Sequence, residues 1–285
     1  GGMCVRQKMG VLGPVGTHSE AAALYLAAWQ QLDREIVCYG DIGECLHAVE
    51  TEVVGAAFVP VENSLEGAIA VTLDTLARSD MLRVRREVIW PVHNYLMARA
   101  DGEIRAIYSH AQPIAQCRDF LLRHCPQAEI IKTASTARAA ELVAEEPAAS
   151  GWAAICTKRA GELYGLSPLH AEIQDNMANA TRFFELQRRG GERAEGATKM
   201  LVICQIDGKK AGALYDVLRE FADRDINMTR IESRPARTEL GAYIFFFDLE
   251  LGADAAALEA ALIAVRDKSI WLKELGSFPV LTARP

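Results

Sequence analysis

At 285 residues the chain is long enough for about two domains on a prior of roughly 100–200 residues each, and 50% hydrophobic with 24% charged residues excludes a disordered or fibrous protein. Lysine and arginine total 31 against 38 acids, a net charge of −7 with no basic stripe, which argues against nucleic acid or an anionic membrane as the main partner. Seven cysteines without a C-x-x-C pair and six histidines without H-x-x-x-H or H-E-x-x-H spacing support neither a disulfide framework nor a metal site. The cysteines, Cys4 among them, read as reduced thiols of a cytoplasmic protein. Gly1-Gly2-Met3 reads as a tag remnant before a native methionine, and no apolar run approaches the roughly 20 residues that span a bilayer.

Short apolar strands alternate with amphipathic helices up to about Leu186, which predicts an α/β layered domain on a largely parallel sheet. Val11-Leu12 ends the first strand, Gly13-Pro14-Val15-Gly16 turns, and the T-x-x-E pattern Thr17 to Glu20 is a capping box that opens a helix through Trp29. The same order recurs from Ile36 with a helix after Asp41, and from Ala56 through Glu62-Asn63-Ser64 to a helix ending near Leu76. From Leu82 to Met97 strand-like runs follow one another without a helix, so a second lobe is expected to begin near Leu82. It continues with a strand ending at Ser109-His110, a helix over 113–123, a helix over 136–145 and a strand at Ala153 to Cys156, before a last strand at Arg182 to Leu186.

The polar, glycine-rich run from Arg188 to Gly196 predicts a linker. Beyond it the order is strand, helix, strand, strand, helix, strand, ending with Ile270 to Leu275, the ferredoxin-like βαββαβ arrangement.

Four strand ends collect hydroxyls, amides and glycines: Gly13 to Ser19, Pro60 to Ser64, Ser109 to Gln116 and Asn179 to Phe183. The helix opened by Thr17 presents unpaired N–H groups to a carboxylate or phosphate, although a plain helix cap fits as well. Thr181-Arg182 sets a hydroxyl beside a guanidinium, suited to gripping a carboxylate while a donor faces a reacting atom. No G-x-S-x-G elbow, Walker loop or G-x-G-x-x-G is present, so neither a serine hydrolase nor a nucleotide cofactor is indicated.

Together these segments resemble the prephenate dehydratase family over nearly the whole chain. Gly13-Pro14-Val15-Gly16-Thr17-His18-Ser19 is similar to its G-P-x-G-[TS]-[FY]-S opening, and Pro60-Val61-Glu62-Asn63-Ser64 with Gly67 and Thr72-Leu73-Asp74 to its P-[IV]-E-N-S…G…T-L-D signature. Ser109-His110-Ala111-Gln112 with Gln116-Cys117 resembles S-H-P-Q-x-x-x-Q-C, and Thr181-Arg182-Phe183 is the T-R-F motif. Gly212-Ala213-Leu214 and Glu232-Ser233-Arg234-Pro235 resemble the G-A-L and E-S-R-P motifs of the regulatory ACT domain.

The resemblance implies a two-lobed catalytic domain over 8–188 with the type II fold of periplasmic binding proteins: lobe 1 about 8–80 plus 172–188, lobe 2 about 81–171. A linker over 189–197 and a ferredoxin-like ACT domain over 198–285 follow. It implies conversion of prephenate to phenylpyruvate, carbon dioxide and water in phenylalanine biosynthesis, without metal or cofactor, with L-phenylalanine as allosteric effector. Thr181, Asn63, Ser109 and Gln116 are the implied catalytic residues, with Thr181 assisting hydroxide departure either as a positioned donor or through a relay. Thr17, Ser19, Ser64, Arg182 and Phe183 are implied around the substrate. Glu62, which would repel a dianion, is either a structural acceptor or an acid of raised pKa. Gly212, Ala213, Leu214, Asn227, Met228, Glu232 and Ser233 are implied to bind phenylalanine between modules of a homodimer or homotetramer. Two residues depart from the family pattern: His18 replaces an aromatic, and Ala111 a proline. An arogenate dehydratase and a non-catalytic aromatic amino-acid sensor are the competing expectations.

Overall fold

Lys8–Leu12 forms β1, and the turn after it hands the chain to α1 (His18–Gln30) through the capping box: Thr17 Oγ1 accepts from the Glu20 N–H at 3.3 Å, and the Glu20 carboxylate accepts from the Gly16 N–H at 3.1 Å. The computed structural model describes residues 7–238 and 240–285, so Cys4 and the Gly1-Gly2-Met3 start lie outside the described residues. After α1 come β2 (Glu35–Tyr39), α2 (Ile42–Glu50) capped by Asp41, β3 (Ala56–Asn63), β4 (Gly67–Ala68), α3 (Ala70–Arg78) and β5 (Leu82–Pro91).

With the late strands β11 (Ala180–Arg188) and β16 (Val280–Thr282), these build the seven-stranded sheet of lobe 1, in the order β16-β5-β11-β3-β1-β2 with β4 on β3. The sheet is mixed: β2, β1 and β3 run parallel, whereas β11 is antiparallel to both β3 and β5. On one face α1 covers a core that includes Met9, Leu26, Phe58 and Phe183. The other face buries Leu46, Leu76, Phe184 and Leu186 beneath α2 and α3.

Lobe 2 has a five-stranded sheet ordered β10-β6-β9-β7-β8, from β6 (Tyr95–Ala98), β7 (Ala106–Ser109), β8 (Glu129–Lys132), β9 (Trp152–Cys156) and β10 (Ser167–His170). The helix expected over 113–123 breaks at Cys117 into α4 (Ala111–Gln116) and α5 (Arg118–His124), with Cys117 buried and Gln116 facing Asn94. Helices α6 (Thr136–Glu145) and α7 (Lys158–Leu163) complete the lobe.

The lobe boundary expected near Leu82 is corrected by this topology. β5 is hydrogen-bonded between β16 and β11 in the first sheet, so the chain leaves lobe 1 after Pro91. A missing helix marks a change of topology, but it does not say which sheet a strand with both faces buried will join. Two crossings connect the lobes and bond to each other, Val92 N–H to Asn179 O at 2.9 Å and Ile173 N–H to Asn94 O at 2.9 Å.

The C-terminal module is β12 (Lys199–Ile206), α8 (Ala213–Ala222), β13 (Met228–Pro235), β14 (Tyr243–Glu250), α9 (Ala255–Lys268) and β15 (Trp271–Phe278), an antiparallel sheet ordered β13-β14-β12-β15. Its helices cover one sheet face, around Val202, Val217, Phe221 and Phe247. The opposite face sets Leu201, Ile203, Phe246, Leu275 and Phe278 into the same core as Leu46 and Phe184 of lobe 1. A two-sided apolar sheet needs two covers, and here lobe 1 is the second.

The linker over 189–197 is accordingly tied down, with Arg83 donating to the Gly191 carbonyl at 2.6 Å and Arg189 to the Glu274 carbonyl at 2.7 Å. Lys273 of β15 donates to the carbonyls of Leu76, Ala77 and Ser79 at 3.2, 2.7 and 2.7 Å, satisfying the exposed acceptors at the end of α3. The span 198–285 is also corrected at its end: β16 pairs in parallel with β5 in lobe 1, Leu281 opposite Val88. Three residues of strand are too short to carry a periodicity that sequence reading could detect.

Candidate active site

The E-N-S and T-R-F motifs lie side by side at the ends of β3 and β11, with Thr181 opposite Asn63 and Arg182 opposite Glu62. Successive strand residues point to opposite faces. Asn63 and Thr181 therefore share one face, and Glu62 and Arg182 share the other, which the C-terminal module covers.

On the first face Asn63 is fixed in one orientation. Its Oδ1 accepts from the N–H groups of Leu65 and Glu66 at 2.9 and 3.2 Å, so its Nδ2 faces Asn179 Oδ1 at 3.0 Å and Thr181 Oγ1 at 3.3 Å. A lone pair of the Thr181 hydroxyl is thus occupied by a donor, and its own proton is left to give away. Ser64 joins the group, its hydroxyl 3.4 Å from Asn179 Oδ1 and accepting from the Ala180 N–H at 2.9 Å. Asn179, absent from the expected site residues, is 1% exposed and organises both Asn63 and Ser64. The signal in the sequence is its place in the polar run Asn179 to Phe183 at a strand end; its Oδ1 accepts from both neighbours, and its Nδ2 is buried without a partner among the described residues.

Arg182 is corrected. Its guanidinium is bonded to Glu87 of β5 and Asp248 of β14, lies 5.0 Å from the Phe184 ring centroid, and points away from Thr181. Glu62 is a structural acceptor, in an ion pair with Arg230 of β13 and 3.9 Å from Arg182. Phe183 is 1% exposed and stacked on Phe58 at 4.7 Å, a core residue and not a substrate contact.

From lobe 2, Ser109 is wholly buried and its hydroxyl donates to the Ile155 carbonyl at 2.8 Å, which removes it as a donor to substrate. Gln116 accepts from Asn94 Nδ2 at 3.4 Å beside the interlobe crossings, where Asn94 also donates its N–H to Gln174 at 2.8 Å. The lobes touch directly through Gln112 on Glu66, through Arg159 on Glu20 at 2.6 Å, and through the Thr157 hydroxyl on the Gly16 carbonyl at 3.1 Å. Gly16 has φ +92°, and a Cβ there would lie 3.2 Å from Ala160 and 3.3 Å from Ala137 of lobe 2, so this close approach requires glycine.

At the start of α1, the Thr17 hydroxyl is engaged in capping and in donating to the Leu12 carbonyl at 3.3 Å, and Ser19 is buried. Between them His18 Nδ1 accepts from the Trp90 indole N–H at 3.3 Å, and Trp90 is the β5 residue opposite Thr181. Burial first, and the neighbouring His93 second, push the His18 imidazole down to about 4. It is neutral at pH 7, and the Trp90 bond places its proton on Nε2, a buried atom without a partner among the described residues.

A histidine that charges near 6.5 when unfolded but only near 4 when folded makes stability rise with pH across that window. His18 alone removes about 2 kcal/mol of stability between pH 7 and pH 5. In His18→Phe the fall in Tm from pH 7 to pH 5 should be smaller by that contribution; an unchanged fall would show that His18 titrates normally.

The alternation continues in the C-terminal module, where Arg230, Glu232 and Arg234 of β13 are half-buried while Thr229, Ile231 and Ser233 are exposed. Glu232 accepts from Arg230 at 3.3 Å. Arg234 grips Asp74 with two bonds of 2.9 Å and holds its carboxyl below the ordinary range. Gly212 caps α8 at φ +79°, Ala213 and Leu214 pack into the module's core, and Met228 packs there beside Asn227, whose carbonyl accepts from the Glu250 N–H at 2.9 Å.

A bilobed α/β domain whose strand ends present a fixed amide–hydroxyl pair beside the lobe crossings, joined to a ferredoxin-like module, defines a small-molecule enzyme with a regulatory domain. The prephenate dehydratase family matches residues 9–191 and the ACT domain residues 202–267, and the chain belongs to the prephenate dehydratase family. It is 32% identical to a prephenate dehydratase of Methanocaldococcus jannaschii over 268 residues, 94% of this chain and 96% of the relative. Among solved structures, the prephenate dehydratase of Arthrobacter aurescens in complex with L-Phe matches with a TM-score of 0.85 and 35% identity, covering 95% of this chain and 90% of that one. A protein described as a quorum-quenching acylase matches with a TM-score of 0.82 and 25% identity, covering 96% and 98%.

Proposed function

We propose that this chain converts prephenate to phenylpyruvate and that L-phenylalanine regulates it through the ACT domain. The observation that carries the reading is the orientation of Asn63: its amide N–H occupies the Thr181 oxygen and directs the Thr181 O–H outward as a donor. Breaking the bond from the ring to its carboxylate releases carbon dioxide and supplies the electron pair that makes the ring aromatic. The C–O bond opposite breaks, and the departing hydroxide takes up a proton and leaves as water. A donor held at that oxygen stabilises charge only as it develops, where it accelerates the step. Donation from Asn63 into the Thr181 oxygen polarises the hydroxyl in the same sense.

An acylase would need an activated nucleophile, whereas the Ser109 hydroxyl is bonded to a main-chain carbonyl. The six described cysteines are free thiols, with Cys45, Cys117, Cys156 and Cys204 pushed up to about 12 mainly by burial, which supports a reducing, cytoplasmic setting. The edge position of β13 and the exposure of Ile231 support a homo-oligomer joined through the module.

Phenylpyruvate formation from prephenate, followed with and without L-phenylalanine and beside arogenate as the alternative substrate, tests the reading. Turnover of prephenate that changes with L-phenylalanine is the expected result. Turnover of arogenate alone would reassign the substrate, and binding of L-phenylalanine without turnover of either would make the chain a sensor.

A further inference from the structure

We propose that Arg230, on the ACT module, is a positioning residue for the Asn63–Thr181 pair, acting through Glu62 and Arg182. The inference rests on the proposed roles of Asn63 and Thr181 and goes beyond them, because it makes the geometry of the active site depend on a side chain of the regulatory domain.

Two cross-strand pairs face each other across the junction. Glu62 and Arg182 are register partners at the ends of β3 and β11, and Arg230 and Asp248 are register partners on β13 and β14. The signs are inverted, so Arg230 meets Glu62 while Asp248 meets Arg182. The Arg182–Asp248 contact is shielded from water, its side chains being 10% and 2% exposed, and the Arg230–Glu62 contact is partly shielded, at 18% and 26%. Glu87 and Lys199 complete the group, Lys199 lying 3.2 Å from Glu87 and 3.3 Å from Asp248, and Glu232 lies 3.3 Å from Arg230.

Two lobe residues of this cluster are chain neighbours of site residues, Glu62 of Asn63 and Arg182 of Thr181. Side chains on opposite faces of one strand share a rigid backbone, so a pull on one face tilts the other. The register shift between Arg182 and Phe183, where Val61 is skipped, separates this terminal two-residue ladder from the rest of the β3–β11 pairing, while β11 stays in unbroken register with β5 from Ala180 to Glu185. The end of β3, which carries Glu62 and Asn63, can therefore adjust against β11 without disturbing the core beneath it. Arg234 and Arg237 also cross the junction, both to Asp74 on α3 and not to the strand ends, which makes Arg234 an internal control.

In the full-length protein, Arg230→Ala should lower kcat about tenfold with KM for prephenate within about twofold, and Arg230→Lys should restore most of the loss. Glu62→Gln should match Arg230→Ala, and the double variant should fall no further than the worse single one, the mark of one shared path. Arg234→Ala should leave kcat within about twofold. The methyl resonance of Thr181 in selectively labelled protein should move in Arg230→Ala and stay in place in Arg234→Ala. If Arg230→Ala does not fold, Arg230→Gln is measured in the same way.

Unchanged kcat in folded Arg230→Ala or Arg230→Gln, an equal loss in Arg234→Ala, or a stationary Thr181 methyl would overturn the proposal. If the wild-type chain turns over neither prephenate nor arogenate, the reading of the reaction fails. The Thr181 resonance then decides the positioning claim by itself.

Discussion

Replacing Thr181 by alanine is expected to lower kcat by about 100- to 1000-fold, the range found when a single preorganised donor is removed from a developing charge. The barrier would rise by roughly 3–4 kcal/mol at tenfold per 1.36 kcal/mol. The fold should tolerate the change. The hydroxyl is half-buried and bonded to Asn63, whose amide keeps Asn179 as a partner, so the stability cost is about 1 kcal/mol. Thr181→Ser retains the hydroxyl and should stay within about tenfold of wild type. Steady-state kinetics beside a thermal melt separate these effects: alanine enzyme within tenfold of wild type would remove Thr181 from the donor role, whatever its Tm.

The same residue shows what the sequence could and could not carry. Motif spacing placed Thr181 and Asn63 in one site, and the register Thr181 opposite Asn63 agrees with that. Motif adjacency also suggested that Arg182 works beside Thr181 on the substrate, and there the inference failed for a physical reason. Neighbours in a strand face apart, so a two-residue motif at a strand end is divided between two surfaces unless the chain turns between them. Glu62 and Asn63 are divided in the same way.

The two-lobed layout and the βαββαβ module were legible because each rests on strand and helix order. The placement of β5, the return of β16 and the burial of the module's second face on lobe 1 depend on long-range pairing, to which local periodicity is blind. Leu201, Ile203, Phe246, Leu275 and Phe278 of the module form a core shared with lobe 1. Motion of the ACT sheet therefore has a direct mechanical route to the catalytic lobe, without transmission through a flexible linker.

The corrected place of Arg182 leads to the second large effect. Removing its guanidinium in Arg182→Met leaves Glu87 and Asp248, 3% and 2% exposed, facing each other with Lys199 as their remaining cation. Breaking a buried ion cluster in this way costs on the order of 3–5 kcal/mol, because an uncompensated buried charge remains. For a chain of this size that corresponds to a fall in Tm of roughly 10 °C. Adding Asp248→Asn to Arg182→Met, which leaves Glu87 paired with Lys199 at 3.2 Å, should recover more than half of the loss, since the penalty lies in the stranded charge more than in the missing attraction. A guanidinium that instead held a substrate carboxylate would behave in the opposite manner: KM for prephenate would rise steeply in Arg182→Met while Tm stayed near wild type. Thermal melts and KM measured on the same preparations distinguish a residue that joins two domains from one that grips the substrate, and the bonds to Glu87 and Asp248 predict the first.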